Sequence, residues 1–272
     1  MKNKFIQIKM FPAPIRVGFF LILLLLLWLP VAISVQQFLS HDQNLVTILT
    51  MGWLFILFFI LVRVTGKLIY QQSYPYQNVG LISNGRNVLE GLQGLGIGLC
   101  LTAVLFVLQG TFGWLNWQEN AVPFWQLILE GALTGIGVAI AEESVFRGWL
   151  LNELQQDYSL TAALWANSII FAIAHFLKPI PAMLETLPAF PGLVMLGIIL
   201  VLARWKTQGK LGLPMGLHAG LVWGYYIVDV GELVRYSNTM SPAITGINGN
   251  PIAGVMGWIF LLGLAIWLKS KH

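Results

Sequence analysis

Residues 141–150 read Ala-Glu-Glu-Ser-Val-Phe-Arg-Gly-Trp-Leu, which sets Glu142, Glu143 and Arg147 inside a run that is apolar on both sides. "LILEGALTGIGVAI" leads into it and "LNEL" follows. A charged side chain at the centre of a membrane helix costs about 2.5–3.5 kcal/mol on insertion scales, so such residues are kept for a purpose. Whether this stretch lies in a membrane helix decides the fold, and the rest of the chain answers that.

The 272 residues are 57% hydrophobic and only 10% charged, with a mean hydropathy of +0.76. Soluble domains carry about 25% charged residues, so the composition is that of a membrane protein. The single cysteine, Cys100, excludes a disulfide framework and a cysteine-based metal cluster. A net charge of +4 could suggest nucleic acid as a partner, but the cations sit at the ends of apolar runs, which speaks against it.

A bilayer core of about 30 Å takes roughly 20 apolar residues per helix. Eight segments qualify, at about 17–39, 45–64, 88–110, 124–151, 160–177, 190–206, 212–230 and 250–268. The expectation is an all-α, polytopic membrane helical bundle of about eight transmembrane helices. It divides into N-terminal helices over 1–115, a core over 116–235 and a C-terminal helix over 236–272, integrated as one membrane domain. The first segment is too long for a signal-peptide core and lacks a small-x-small cleavage site; it reads as a retained anchor.

Lysine and arginine mark the cytoplasmic ends of spans. With the N-terminus inside, those ends carry Lys2, Lys4, Lys9, Arg16, Arg63, Lys67, Arg86, Arg204, Lys206, Lys210, Lys269 and Lys271. The opposite ends carry only Lys178 and Arg235. The reading is an integral, multi-pass membrane protein with both termini cytoplasmic.

Helix geometry sorts the opening stretch. Glu143 and Arg147 are four apart with the acid first, the favourable order for an ion pair. Glu142 points about 100° away from Glu143 and is left without a local partner, free to act as a base. The turn between the fourth and fifth segments lies near Asp157–Ser159. Glu142 precedes it by 15 residues and His175 follows it by 16, so both lie about 22 Å of helix from the turn. His218, in "GLPMGLHAG", counts only about 8 Å from the start of its segment, a mismatch in depth. One carboxylate and two histidines can activate water directly, or through a metal held by the histidines. The set is not the helical His-Glu-x-x-His zinc motif.

These residues match a known pattern. "EESVFRG" (Glu142–Gly148), "FAIAH" (Phe171–His175) and His218 in "GLHAG" resemble the motifs of the CAAX protease and bacteriocin-processing (CPBP, or Abi) family of intramembrane proteases. The likeness covers about residues 120–230. It implies an endopeptidase acting on a peptide or protein substrate at the lipid bilayer. Glu142 corresponds to the acid that activates water, with His175 beside it. Glu143 and Arg147 complete the first motif in a supporting role, and His218 corresponds to a metal ligand or oxyanion stabiliser. Two options stay open: a divalent metal such as zinc held by His175, His218 and Glu142, or a metal-free glutamate mechanism. One departure stands out: Val222 occupies the position four after His218 where the family commonly has an amide or acid. Asn167 or Trp223 is a candidate substitute, and helix–helix packing is the simpler role for Asn167. The alternative to a protease is a family member without proteolysis, acting as a membrane immunity or scaffold protein. A proton-coupled transporter would also bury Glu and His, but it calls for an internal repeat, and none is visible.

Overall fold

The computed structural model describes residues 7–119, 122–237 and 239–270; Lys2, Lys4 and Lys271, counted above for orientation, lie outside them. Helices occupy all eight expected segments, with ends shifted by a few residues. Five are long and apolar enough to cross a membrane: Ala13–Leu39, Gln43–Leu68, Gly85–Thr111, Phe124–Gln155 and Ile180–Lys206. Two more apolar helices are shorter, Leu160–Ala174 and Val255–Lys269. The protein is a helical integral membrane protein.

The described residues form two compact units, one running to Leu81 with Asn152–Tyr158 added, the other comprising Ile82–Leu151 and Ser159 onward. In the first, α1 (Ala13–Leu39) and α2 (Gln43–Leu68) pack as a hairpin. Asp42 accepts from the Leu45 amide to start α2, and the Phe20 and Phe58 rings meet edge-on. The outward face of α1 is bare leucine, isoleucine and phenylalanine, including Phe19, Ile22, Leu26 and Ile33, as a lipid-facing helix requires. After the short α3 (Pro75–Asn78), the unit is closed by the segment at 152–158. Arg16, buried in the first turn of α1, pairs with Glu153 at 2.9 Å and Asp157 at 3.1 Å. The Tyr70 hydroxyl donates to Glu153 at 2.7 Å. Burial, reinforced by that carboxylate, raises the Tyr70 phenol well above its ordinary range and keeps it a donor.

In the second unit α4 (Gly85–Thr111) starts on an Asn84 cap. It is followed by β1 (Leu115–Trp117) and α5 (Phe124–Glu143). At Ser144 the helix widens into a π-helical segment, Ser144–Leu150, before resuming as α6 (Leu151–Gln155). Next come α7 (Leu160–Ala174), α8 (Ile180–Thr186), α9 (Phe190–Lys206) and α10 (Gly212–Val230). Then follow β2 (Val234–Tyr236), α11 (Pro242–Thr245) and α12 (Val255–Lys269). β1 and β2 pair antiparallel, with Asn116 opposite Arg235, and join the chain after α4 to the chain after α10.

α10 is the central element, packed between α4 and α5. The glycines of "GLQGLGIGL" (91–99) make the approach possible. A methyl group added at Gly216 would lie 1.8 Å from the Gly91 carbonyl oxygen, and one at Gly94 would lie 2.4 Å from the Leu213 oxygen. This is the small-residue contact that membrane helices use where backbones touch. On the other side α9 packs on α7 and α12. There Phe171, Leu193, Ile199, Leu200, Leu217 and Leu261 share one core.

Candidate active site

Glu142 and Glu143 are the last two residues of α5. Successive residues on a helix point apart, so one carboxylate is buried and the other stays partly exposed. Glu143 is fully buried, and Arg147, on the π segment, is fully buried beside it at 3.1 Å. The Arg147 guanidinium also donates to the Gly197 carbonyl at 3.3 Å and lies 4.0 Å from the Phe171 ring centre. Burial of this charge is tolerable because a carboxylate, a carbonyl and a ring face share it.

The second oxygen contact of Glu143 reaches another helix. Its Oε1 lies 2.8 Å from His218 Nδ1. A carboxylate accepts only, so Nδ1 is the donor, and in the neutral tautomer Nε2 has the lone pair. His175, the residue that ends α7, is arranged alike. Its Nδ1 lies 2.9 Å from the Phe171 carbonyl, a pure acceptor, so the neutral tautomer again has its lone pair on Nε2. Both Nε2 nitrogens face one atom: Glu142 Oε2 is 3.8 Å from His175 Nε2 and 3.9 Å from His218 Nε2. Glu142 and His175 stay partly open, with 29% and 31% of their side chains exposed, whereas His218 keeps 4%.

Glu142 Oε2, buried and without a hydrogen-bond partner among the described residues, thus lies near two imidazole nitrogens that can accept. Such a position calls for a donor. Water suits it: two O–H groups can serve two of the three acceptors while a lone pair stays free to attack. A divalent ion would need closer ligands. The edge of a tetrahedral zinc site with bonds of 2.0–2.1 Å is about 3.3 Å, shorter than the separations here. Among the described residues no group of three or more His, Cys, Asp or Glu side chains is arranged to hold a metal. The residues present do not fit that group in this geometry.

The structure thus brings Glu142, Glu143, Arg147, His175 and His218 into one cluster. His218 is at hand because α10 begins inside the protein: Gly212, Leu213 and Pro214 are buried. The Gly212 amide donates to Asn87 Oδ1 at 2.8 Å, and Lys210 is paired with Glu90. Counting depth from the helix start underestimated it for that reason. Val222 lines an apolar cavity of about 190 Å³ beside His218, with Thr102, Leu105, Tyr225 and Phe260. Asn167 donates to the Phe146 carbonyl at 2.7 Å. Glu130 accepts from Gln126 at 2.8 Å and Tyr226 at 3.0 Å, joining α5 to α10. Two features carried no sequence signal. The π segment is marked by no proline, and Arg204, whose charge reads as one more cytoplasmic cation, is buried and donates to the Arg147 carbonyl.

Residues 123–224 match the family model described as Type II CAAX prenyl endopeptidase Rce1-like, which bears out the resemblance carried by the three motifs. The matched region contains all five clustered residues. No curated protein and no solved structure matches the chain. The match supports an intramembrane protease at that general level.

Proposed function

From the premise of an Rce1-like endopeptidase domain at residues 123–224, we propose that the protein hydrolyses a peptide bond of a membrane-associated substrate with water activated by Glu142. The observation that carries this reading is the approach of Glu142 Oε2 to within 4 Å of two imidazole nitrogens, His175 Nε2 and His218 Nε2. Water held there donates one hydrogen to Glu142 and the other to His175 or His218. Glu142 takes the first proton as the oxygen attacks the carbonyl carbon. It then returns that proton to the amide nitrogen, the C–N bond breaks, and a carboxylic acid and an amine leave. His175 and His218 orient the water and hold its second proton. Glu143 and Arg147 do not touch the substrate; they fix the His218 ring through Nδ1, as a buried carboxylate does for a catalytic imidazole.

Peptide bonds within a helix are shielded, so the substrate must present an extended strand at the site. The partial exposure of Glu142 and His175 is the opening for it. A specific feature favours the second reading, a scaffold or immunity protein without proteolysis: Val222 offers no hydrogen bond beside His218. The two readings separate on purified protein in proteoliposomes given a library of membrane-tethered peptides. Cleavage by the wild type that vanishes in Glu142→Gln is the expected result. A wild type that cleaves nothing, or a variant that cleaves equally well, would favour the scaffold.

A further inference from the structure

The helix that delivers Glu142 changes pitch immediately after it. Ser144–Leu150 is π-helical, and the Leu151 amide donates to the carbonyl of Phe146, five residues back. π turns are rare and poorly packed, and those that persist are mostly single turns found at functional sites. Here the wide turn spans seven residues, directly between the two glutamates and the start of α6.

Two side chains from other helices reach its carbonyl groups. Asn167, fully buried on α7, donates to the Phe146 carbonyl at 2.7 Å. Arg204, buried near the end of α9, donates to the Arg147 carbonyl and, through Nε, to the Gly209 carbonyl at 3.0 Å. The Phe146 carbonyl is the informative one. In an α-helix it would accept from residue 150, and in the π turn it accepts from Leu151. It has its backbone partner already, so the bond from Asn167 is not needed to satisfy it. A second donor from the side pulls a helix carbonyl off the axis, and a wide turn needs such a tilt. The Asn167 Oδ1 atom, meanwhile, is buried without a partner, which costs stability. Simple helix–helix adhesion would not retain that cost, because an apolar side chain in this core would adhere as well.

We propose that Asn167 is a positioning residue that selects the π pitch, with Arg204 securing the next carbonyl. The pitch decides where Glu142 points. One residue gained or lost in the turn rotates the helix by about 100°, which would part Glu142 from the histidines or Arg147 from Glu143. The inference rests on the proteolytic reading of the site for its kinetic consequence and on the structure alone for its conformational one.

Asn167→Leu tests it. Removal of a half-satisfied amide from an apolar core leaves the melting temperature equal to or above that of the wild type. kcat on a cleaved peptide falls roughly 10- to 100-fold, the scale of a misplaced catalytic group, while KM stays within about twofold. Amide hydrogen exchange over residues 144–151, measured in lipid nanodiscs, speeds up whether or not a substrate is known. Asn167→Ala repeats the test without added bulk should leucine not fold. Wild-type kcat, or a loss of activity that merely follows a loss of folded protein, overturns the proposal. If the wild type itself cleaves nothing, the proteolytic reading fails and the exchange data decide alone: faster exchange at 144–151 supports the clamp, and unchanged exchange overturns it.

Discussion

Arg147 and Glu142 lie five residues apart in the chain and differ in kind. Arg147 is fully buried and shared between Glu143, the Gly197 carbonyl and the Phe171 ring. Arg147→Ala leaves Glu143 buried with His218 as its remaining hydrogen-bond partner, and loss of one partner of a buried pair costs about 3–5 kcal/mol. Glu142 stays partly exposed and makes no bond that the fold depends on. Glu142→Gln therefore leaves the detergent melting temperature within a few degrees of wild type, while Arg147→Ala lowers it sharply or prevents folding. Equal losses would assign Glu142 to the fold. This division was legible in the sequence because both halves of it follow from helix spacing: four residues make the pair, and one residue turns the second acid away. The depth match of Glu142 and His175 was legible for a similar reason, since both were counted from one short turn. The task given to Asn167 was not. Its partner is a main-chain carbonyl, and no side-chain pattern records which carbonyl a helix leaves tilted.

The elements obey the glycines. α10 carries His218 and lies against α4 on backbone contacts at Gly91, Gly94, Gly98, Gly212, Gly216 and Gly220. Gly216→Ala puts a methyl group 1.8 Å from a carbonyl oxygen, so the helices must part. Destabilisation of several kcal/mol and loss of activity are expected. Gly96→Ala, in the same stretch but with nothing within 4 Å, is the control and leaves melting unchanged or slightly raised by helix propensity. Thermal melts of the two proteins in one detergent check this, and equal behaviour would refute the packing. The small-residue spacing in 91–99 announced a helix contact but not its partner, because spacing fixes a face and says nothing of what meets it. The π turn stayed hidden altogether. Its seven residues read as ordinary helix, and the pitch is chosen by groups 20 to 60 positions away. The same holds for Arg16, whose buried pairing with Glu153 and Asp157 joins segments 137 and 141 residues apart that spacing rules do not connect.

On the scale of the molecule, composition alone announced a helical membrane protein, and the eight segments fell close to the observed helices because each is an apolar run, five of them long enough to cross a bilayer. The start of α10 misled the depth count, since a helix that begins on protein rather than at the lipid surface has no interface to count from. Orientation is a separate matter, argued from Lys and Arg. On a Cys100→Ser background, Gln208→Cys, exposed after α9, is expected to react with a membrane-impermeant thiol reagent only from the cytoplasmic side. Thr239→Cys, exposed after β2, is expected to react only from the other side. The reverse pattern would invert the topology.

The central claim is that Glu142, His175 and His218 hold one water molecule and work as a unit, and the kinetics of combined variants test that most directly. Groups that act on one atom in one step are strongly non-additive, so that loss of any one costs nearly as much as loss of all. Peptide cleavage by Glu142→Gln, His175→Ala, His218→Ala and the triple variant is to be compared in proteoliposomes. The account predicts single losses that each approach that of the triple variant, with KM little changed. Losses that multiply across the three positions, or a histidine whose removal leaves kcat intact, would contradict it.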